Sequence, residues 1–245
     1  MRTSRITVAV GTALLLAASA GIANASTITA SLFSPEAGLG PVVINLTGIP
    51  AVSQASFSGP GYSVSFAIDP SQPDQGVVGG AHGCCYAIPV AGVINGNQPE
   101  YLTGGYGSPL TADAADSGHY FSTGTGAVTI NFSQPETWLA LLWGSIDTGN
   151  LLTFKNGTNT VFTVTGTDVQ NAAAGFAGNG FQGPGGSAYV LVNTTTPFTS
   201  VIASSSQVSF EFGGVVASAV PEPGTWCLFG LGIGIVALRR RISFR

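Results

Sequence analysis

The side chains best suited to chemistry are few. His82, Gly83, Cys84, Cys85 and Tyr86 are consecutive, and Cys84 and Cys85 are the only cysteines apart from Cys227. In an oxidising compartment two cysteines are expected to pair. Adjacent Cα atoms lie about 3.8 Å apart, below the roughly 4.4 to 6.8 Å that a disulfide prefers, so a vicinal bridge would be strained and easily reduced. Three readings stay open: a vicinal disulfide, which is favoured, free thiols or intermolecular pairing, and a metal site using His82, Cys84, Cys85 and His119. The last lacks any C-x-x-C or H-x-x-x-H spacing, so no metal is assigned.

Acid chemistry has weaker support. Asp113, Asp116 and His119 are close in sequence, with Ser108 and Ser117 as imaginable nucleophiles. No G-x-S-x-G or other positional signature accompanies them, so a solvated loop is the expectation. Trp143, Asp147 and Asn150 form a second constellation, in which carboxylate, amide and backbone oxygens can hold a calcium ion or line a ligand loop. An ordinary turn with side chain to backbone bonds is favoured over it, because no EF-hand spacing is present. Trp138 and Trp143 could stack on sugar rings, but on a strand an odd offset puts them on opposite faces, so at most one can serve a given surface.

The elements that must position these residues read as strands. Tyr62, Val64, Phe66 and Ile68 alternate with small residues, as do Val128, Ile130 and Phe132, and later Val208, Phe210 and Phe212. Leu151 to Phe154 and Thr160 to Val164 flank Lys155-Asn156-Gly157-Thr158-Asn159, a hairpin signature. Further strands are expected near 42–46, 86–94, 138–143 and 189–192, with one helical turn around 168–174. Gly76 to Gly83 and Gly175 to Gly186 read as long loops. Short strands without a convincing helix predict an all-β fold, an antiparallel β-sandwich of jelly-roll type over residues 26–218.

Charge narrows the function classes. Between Ser26 and Val220 the only basic residue is Lys155, against ten acidic ones, for a net charge of −9. No basic footprint exists for nucleic acid, which is excluded as a partner. At the N-terminus, Arg2 and Arg5 precede an apolar stretch that closes on Ala23-Asn24-Ala25, the small-x-small pattern cleaved by signal peptidase before Ser26. Residues 1–25 are therefore expected to be a cleaved signal peptide, in preference to a permanent anchor.

The other end has three parts. Val220-Pro221-Glu222-Pro223-Gly224 is followed by 14 uncharged, mostly apolar residues, Thr225 to Leu238, and then by Arg239-Arg240-Arg241. As a helix, 225–238 spans about 21 Å against a hydrocarbon core of about 30 Å. Arginine snorkelling and local thinning cover part of that gap, and the arginines stop transfer on the cytoplasmic side. The prolines keep the motif extended, so an enzyme can bind it as a strand.

This order of motif, glycine-containing apolar helix and arginine cluster over residues 219–245 resembles the PEP-CTERM sorting signal of Gram-negative bacteria, a module also labelled an ice-binding protein C-terminal domain. The resemblance implies recognition by an exosortase, transient anchoring in the inner membrane, cleavage near the motif, and delivery to the cell envelope or exopolysaccharide matrix. Thr137 to Phe154, with Trp143-Gly144-Ser145 before Asp147 and Asn150, also resembles a block of exported proteins of that class, as does Phe210-Glu211-Phe212 near the end of the domain. The expectation is a non-enzymatic structural or adhesive protein that needs no cofactor. The competing class is a glycan-binding or glycan-processing module built on Asp147 and an exposed tryptophan.

Overall fold

The computed structural model describes residues 25–31, 42–44, 46, 48–50, 54–72, 74–79, 89, 94–95, 98–99, 119–173, 186–207 and 209–218. The strands are β1 (Thr27–Ser31), β2 (Val42–Val43), β3 (Phe57–Gly59), β4 (Tyr62–Ala67), β5 (Gly76–Gly79), β6 (Ile94–Asn95), β7 (Gln98–Pro99), β8 (His119–Ser122), β9 (Ala127–Trp143), β10 (Asn150–Asn156), β11 (Asn159–Thr165), β12 (Ala188–Ser205) and β13 (Glu211–Ser218). One helix, α1 (Gly166–Ala172), follows β11. The fold is all-β and antiparallel, as the period-two pattern predicts. Eleven strands form one sheet along the order β11-β10-β12-β9-β13-β8-β5, with β1 on β12, β2 on β13 and β3-β4 on β9, and β6 and β7 pair separately.

Two long strands organise the sheet. The sequence reads 128–132 and 138–143 as separate strands, but both lie on β9. Its first half pairs with β4 and with the end of β12, and its second half pairs with β13 and the start of β12. The ladder between β9 and β12 breaks between Asn193 and Phe198. Pro135 and Pro197 lie at this break, where a residue without an N–H costs the ladder least.

The break also reverses which side chains face inward. Val128, Ile130 and Phe132 point to the main core from the first half of β9, whereas Leu139, Leu141 and Trp143 do so from the second. Such a switch of parity lets one sheet fold over a single core. Rings from the two arms meet there: Phe57 of β3 and Phe66 of β4 each lie 6.3 Å from Phe121 of β8, which stacks on Phe212 of β13 at 5.0 Å. Trp138, Ala140 and Leu142 face the opposite side of the sheet, against Tyr189 and Val216. The two tryptophans thus occupy opposite faces, as their spacing predicts.

The hairpin over 155–159 is tighter than the sequence suggests. Asn156 pairs with Asn159 and only Gly157 and Thr158 turn, with Gly157 at φ +59 and a bulge between Phe154 and Lys155. The helix expected around 168–174 begins earlier because Thr165 caps it. The Thr165 hydroxyl accepts from the Asp168 amide at 3.2 Å, and the Asp168 carboxylate accepts from the Thr165 amide at 2.8 Å.

Two expectations need correction. Gly76–Gly79 forms β5 rather than loop, because Val77 and Val78 are fully buried and the segment pairs with β8. The final strand begins at Glu211, not near Val208, since Ser209 takes φ +78 and breaks the extended run. Residue 208 itself lies outside the described residues.

A row of paired residues crosses four strands beside the bend of β9 and β12. Thr27 pairs with Asn193, Asn193 with Trp138, and Trp138 with Ser218. Across this row β1 leads the chain into the sheet and β13 leads it out. Side chains fasten both ends: the Thr195 amide donates to Ser26 Oγ at 3.2 Å, and Thr137 Oγ1 donates to the Ser218 carbonyl at 3.5 Å.

Candidate functional site

The connection from β9 to β10 runs from Gly144 to Gly149 and is built inward. Trp143 at the end of β9 is fully buried, its ring stacked on Phe210 with centroids 4.3 Å apart. The Gly144 amide donates to the Glu211 carbonyl at 2.8 Å, and a Cβ at Gly144 would press on Pro89. Ser145 adopts the left-handed conformation at φ +43, uncommon for a residue with a side chain. Ile146 then enters the core, its amide donating to the Gly186 carbonyl at 2.8 Å.

Asn150 closes the turn. Its Nδ2 donates to the Ser145 carbonyl at 2.8 Å, its Oδ1 accepts from Ser205 Oγ at 3.0 Å, and its amide donates to the Asp147 carbonyl at 3.1 Å. Helix α1 backs the loop from the other side. Gln170 Nε2 donates to the Ile146 carbonyl at 2.9 Å, and Gly166 lies so close to the Asp147 carbonyl that a methyl group there would collide with it.

This geometry sorts the predicted trio. Trp143, buried beneath the sheet, presents no face to a sugar ring, and Trp138 is only 5% exposed. The tryptophan platform expected of a glycan site is therefore corrected: both indoles are packing residues. Asn150 spends its amide on holding the turn. Asp147 remains partly exposed, and partial burial pushes its carboxyl above the ordinary range.

The residue that sequence reasoning passed over is Glu211. It is fully buried at the first position of β13, opposite Ser122 of β8, and neither carboxylate oxygen has a hydrogen-bond partner of good geometry among the described residues. Burial pushes its carboxyl up to about 7. The nearby hydroxyls of Ser209 and Ser145 ease its charged form, and the charge of Asp147 opposes it. Ser122 Oγ and Ser209 Oγ share a hydrogen bond at 2.9 Å, and Thr123 Oγ1 accepts from the Phe210 amide at 3.2 Å, so Glu211 sits within a band of hydroxyls. The sequence holds one clue: an acid between two phenylalanines, in a domain with one lysine to neutralise it.

The other candidates are not brought together among the described residues. His82, Cys84, Cys85, Ser108, Asp113, Asp116 and Ser117 lie outside them. His119 opens β8, and its Nδ1 is buried with no hydrogen-bond partner among the described residues. No group of three or more His, Cys, Asp or Glu residues converges among the described residues. No described helix is long and apolar enough to cross a membrane. Residues 1–24, with Ala23 of the signal cleavage site, and 219–245, with the motif Val220 to Gly224, the expected helix 225–238 and the cluster Arg239 to Arg241, also lie outside the described residues.

Comparison with known proteins supplies the remaining piece. A family model described as the PEP-CTERM protein-sorting motif matches residues 219–241. The chain therefore carries at its end a signal for exosortase-dependent sorting to the cell surface, as its motif, apolar run and arginines suggest. No curated protein matches the chain.

Proposed function

We propose that this PEP-CTERM chain is a non-catalytic structural or adhesive component of the cell envelope or extracellular matrix. In this reading residues 1–25 direct export and signal peptidase cleaves before Ser26. Residues 26–218 fold outside as a β-sandwich of jelly-roll type. The segment 225–238 holds the chain in the inner membrane, with Arg239 to Arg241 on the cytoplasmic side, until an exosortase cuts near Val220 to Gly224. The acidic, lysine-poor body then joins the matrix, with exopolysaccharide as its neighbour.

The matched sorting motif carries this reading. The strand row beside the bend of β9 and β12 supports it. Thr27, the first residue of β1, and Ser218, the last of β13, are three inter-strand steps apart, about 14 Å. Ser218 is the last strand residue and Val220 the first of the motif, so the sorting enzyme would act immediately against the folded sheet.

The reading is tested by changing Glu222→Gln and Pro221→Ala together and fractionating cells. The variant is expected to accumulate at full length in the membrane fraction, while the unaltered chain leaves it. Equal release of both proteins would contradict the proposal.

A further inference from the structure

We propose that Glu211, Asp147, Ser145 and Ser209 form an oxygen-lined site for a divalent cation of the calcium type. The inference does not depend on the sorting reading.

The argument starts from Glu211. A carboxylate removed from water is costly unless it is paired, hydrogen-bonded or bound to a metal. Glu211 is fully buried, and neither oxygen has a geometrically sound hydrogen bond among the described residues. Pairing with lysine or arginine is not available: Lys155 is the only such residue from Ser26 to Val220, and it lies on the β10–β11 hairpin. A protonated carboxyl would have the Ser145 and Ser209 hydroxyls beside it, but no hydrogen bond of good geometry joins them to it. A cation satisfies both oxygens at once.

The surroundings match the demands of such an ion. Asp147 is near enough for its charge to act on Glu211, and the hydroxyls of Ser145 and Ser209 lie beside the carboxylate. Both serines take left-handed backbone conformations, at φ +43 and φ +78, on the segments that flank Glu211 in space. Every donor is a hard oxygen, with no imidazole or thiolate among the four. Calcium accepts carboxylates, hydroxyls, carbonyls and waters in an irregular shell, whereas magnesium demands a near-ideal octahedron. The ion would join the loop after β9 to the start of β13. Those segments already touch through the bond from the Gly144 amide to the Glu211 carbonyl.

The test uses the mature chain with its C-terminal segment, purified in detergent, stripped with EDTA and titrated with calcium chloride or magnesium chloride. Isothermal titration and thermal unfolding are expected to give one saturable calcium site, a rise in Tm on filling it, and binding of magnesium at least about tenfold weaker. E211Q should keep the β-sheet circular dichroism signal and lose the calcium-dependent rise. D147N should weaken calcium binding by about tenfold or more, since one of two charged ligands is lost. If E211Q does not fold, D147N and S209A provide the same comparison. No saturable calcium effect up to about 10 mM, or full calcium response in E211Q or in both D147N and S209A, would overturn the proposal.

Discussion

Two connections flank β10, and they are built in opposite ways. The turn at Gly157-Thr158, between β10 and β11, lies at the surface, and a Cβ added at Gly157 would meet nothing within 4 Å. The loop from Gly144 to Gly149 packs against Pro89, α1 and β13 at Glu211, and sends Ile146 into the core. Both consist of turn-forming residues between strands. The first is tied to the rest of the sheet by one exposed hydrogen bond, from the Gly157 amide to Thr199 Oγ1 at 3.2 Å, whereas the second is held by the Pro89 ring, Gln170 of α1 and the Glu211 carbonyl of β13. Adjacency in sequence therefore says little about which connection carries chemistry; convergence of distant segments does.

Substitutions in the two connections should separate accordingly. Asn150→Ala removes two buried side-chain hydrogen bonds and leaves the Ser145 carbonyl and Ser205 hydroxyl without that partner. It should cost about 2 to 3 kcal/mol in denaturant unfolding. Gly157→Ala should cost about 1 kcal/mol, since only the positive φ opposes it. Equal losses at the two positions would erase the distinction between a local turn and a tertiary one.

The smallest effect concerns charge at the bend of β9. Glu136 is 3% exposed, and burial raises its carboxyl above the ordinary value of 4.5. A raised carboxyl favours the folded state fully below the unfolded pKa, and this contribution is lost as pH rises through the folded one. Glu136→Gln should therefore be neutral near pH 4 and stabilising near pH 7, read from urea midpoints at the two values. A stabilising effect confined to pH 4 would invert the assignment.

Much of this architecture was legible in the residues. Alternation marked the arms of β9, β10, β11 and the start of β12, and the odd offset of Trp138 and Trp143 placed them on opposite faces. Single-strand patterns did not reveal that 128–132 and 138–143 are one bent strand, because the bend lies where the register between β9 and β12 shifts, beside Pro135 and Pro197. Glycine at both ends of 76–79 concealed β5, whose strand character comes from pairing with β8. The site was half visible. Asp147 and Asn150 stood out by type, but Glu211 lies 64 positions beyond Asp147. Only the pairing of β13 with β9 brings its carboxylate to that loop. The same folding withdrew Trp143 from solvent, leaving the glycan reading without its aromatic platform.

Sorting remains the central claim, and it is tested most directly by the intact mass and C-terminal sequence of the protein recovered from the cell envelope. The account predicts a chain that starts at Ser26 and ends within or next to Val220 to Gly224, formed only in cells that have the sorting enzyme. Recovery of a chain that retains Arg239 to Arg245, or the same truncation in cells without that enzyme, would contradict it.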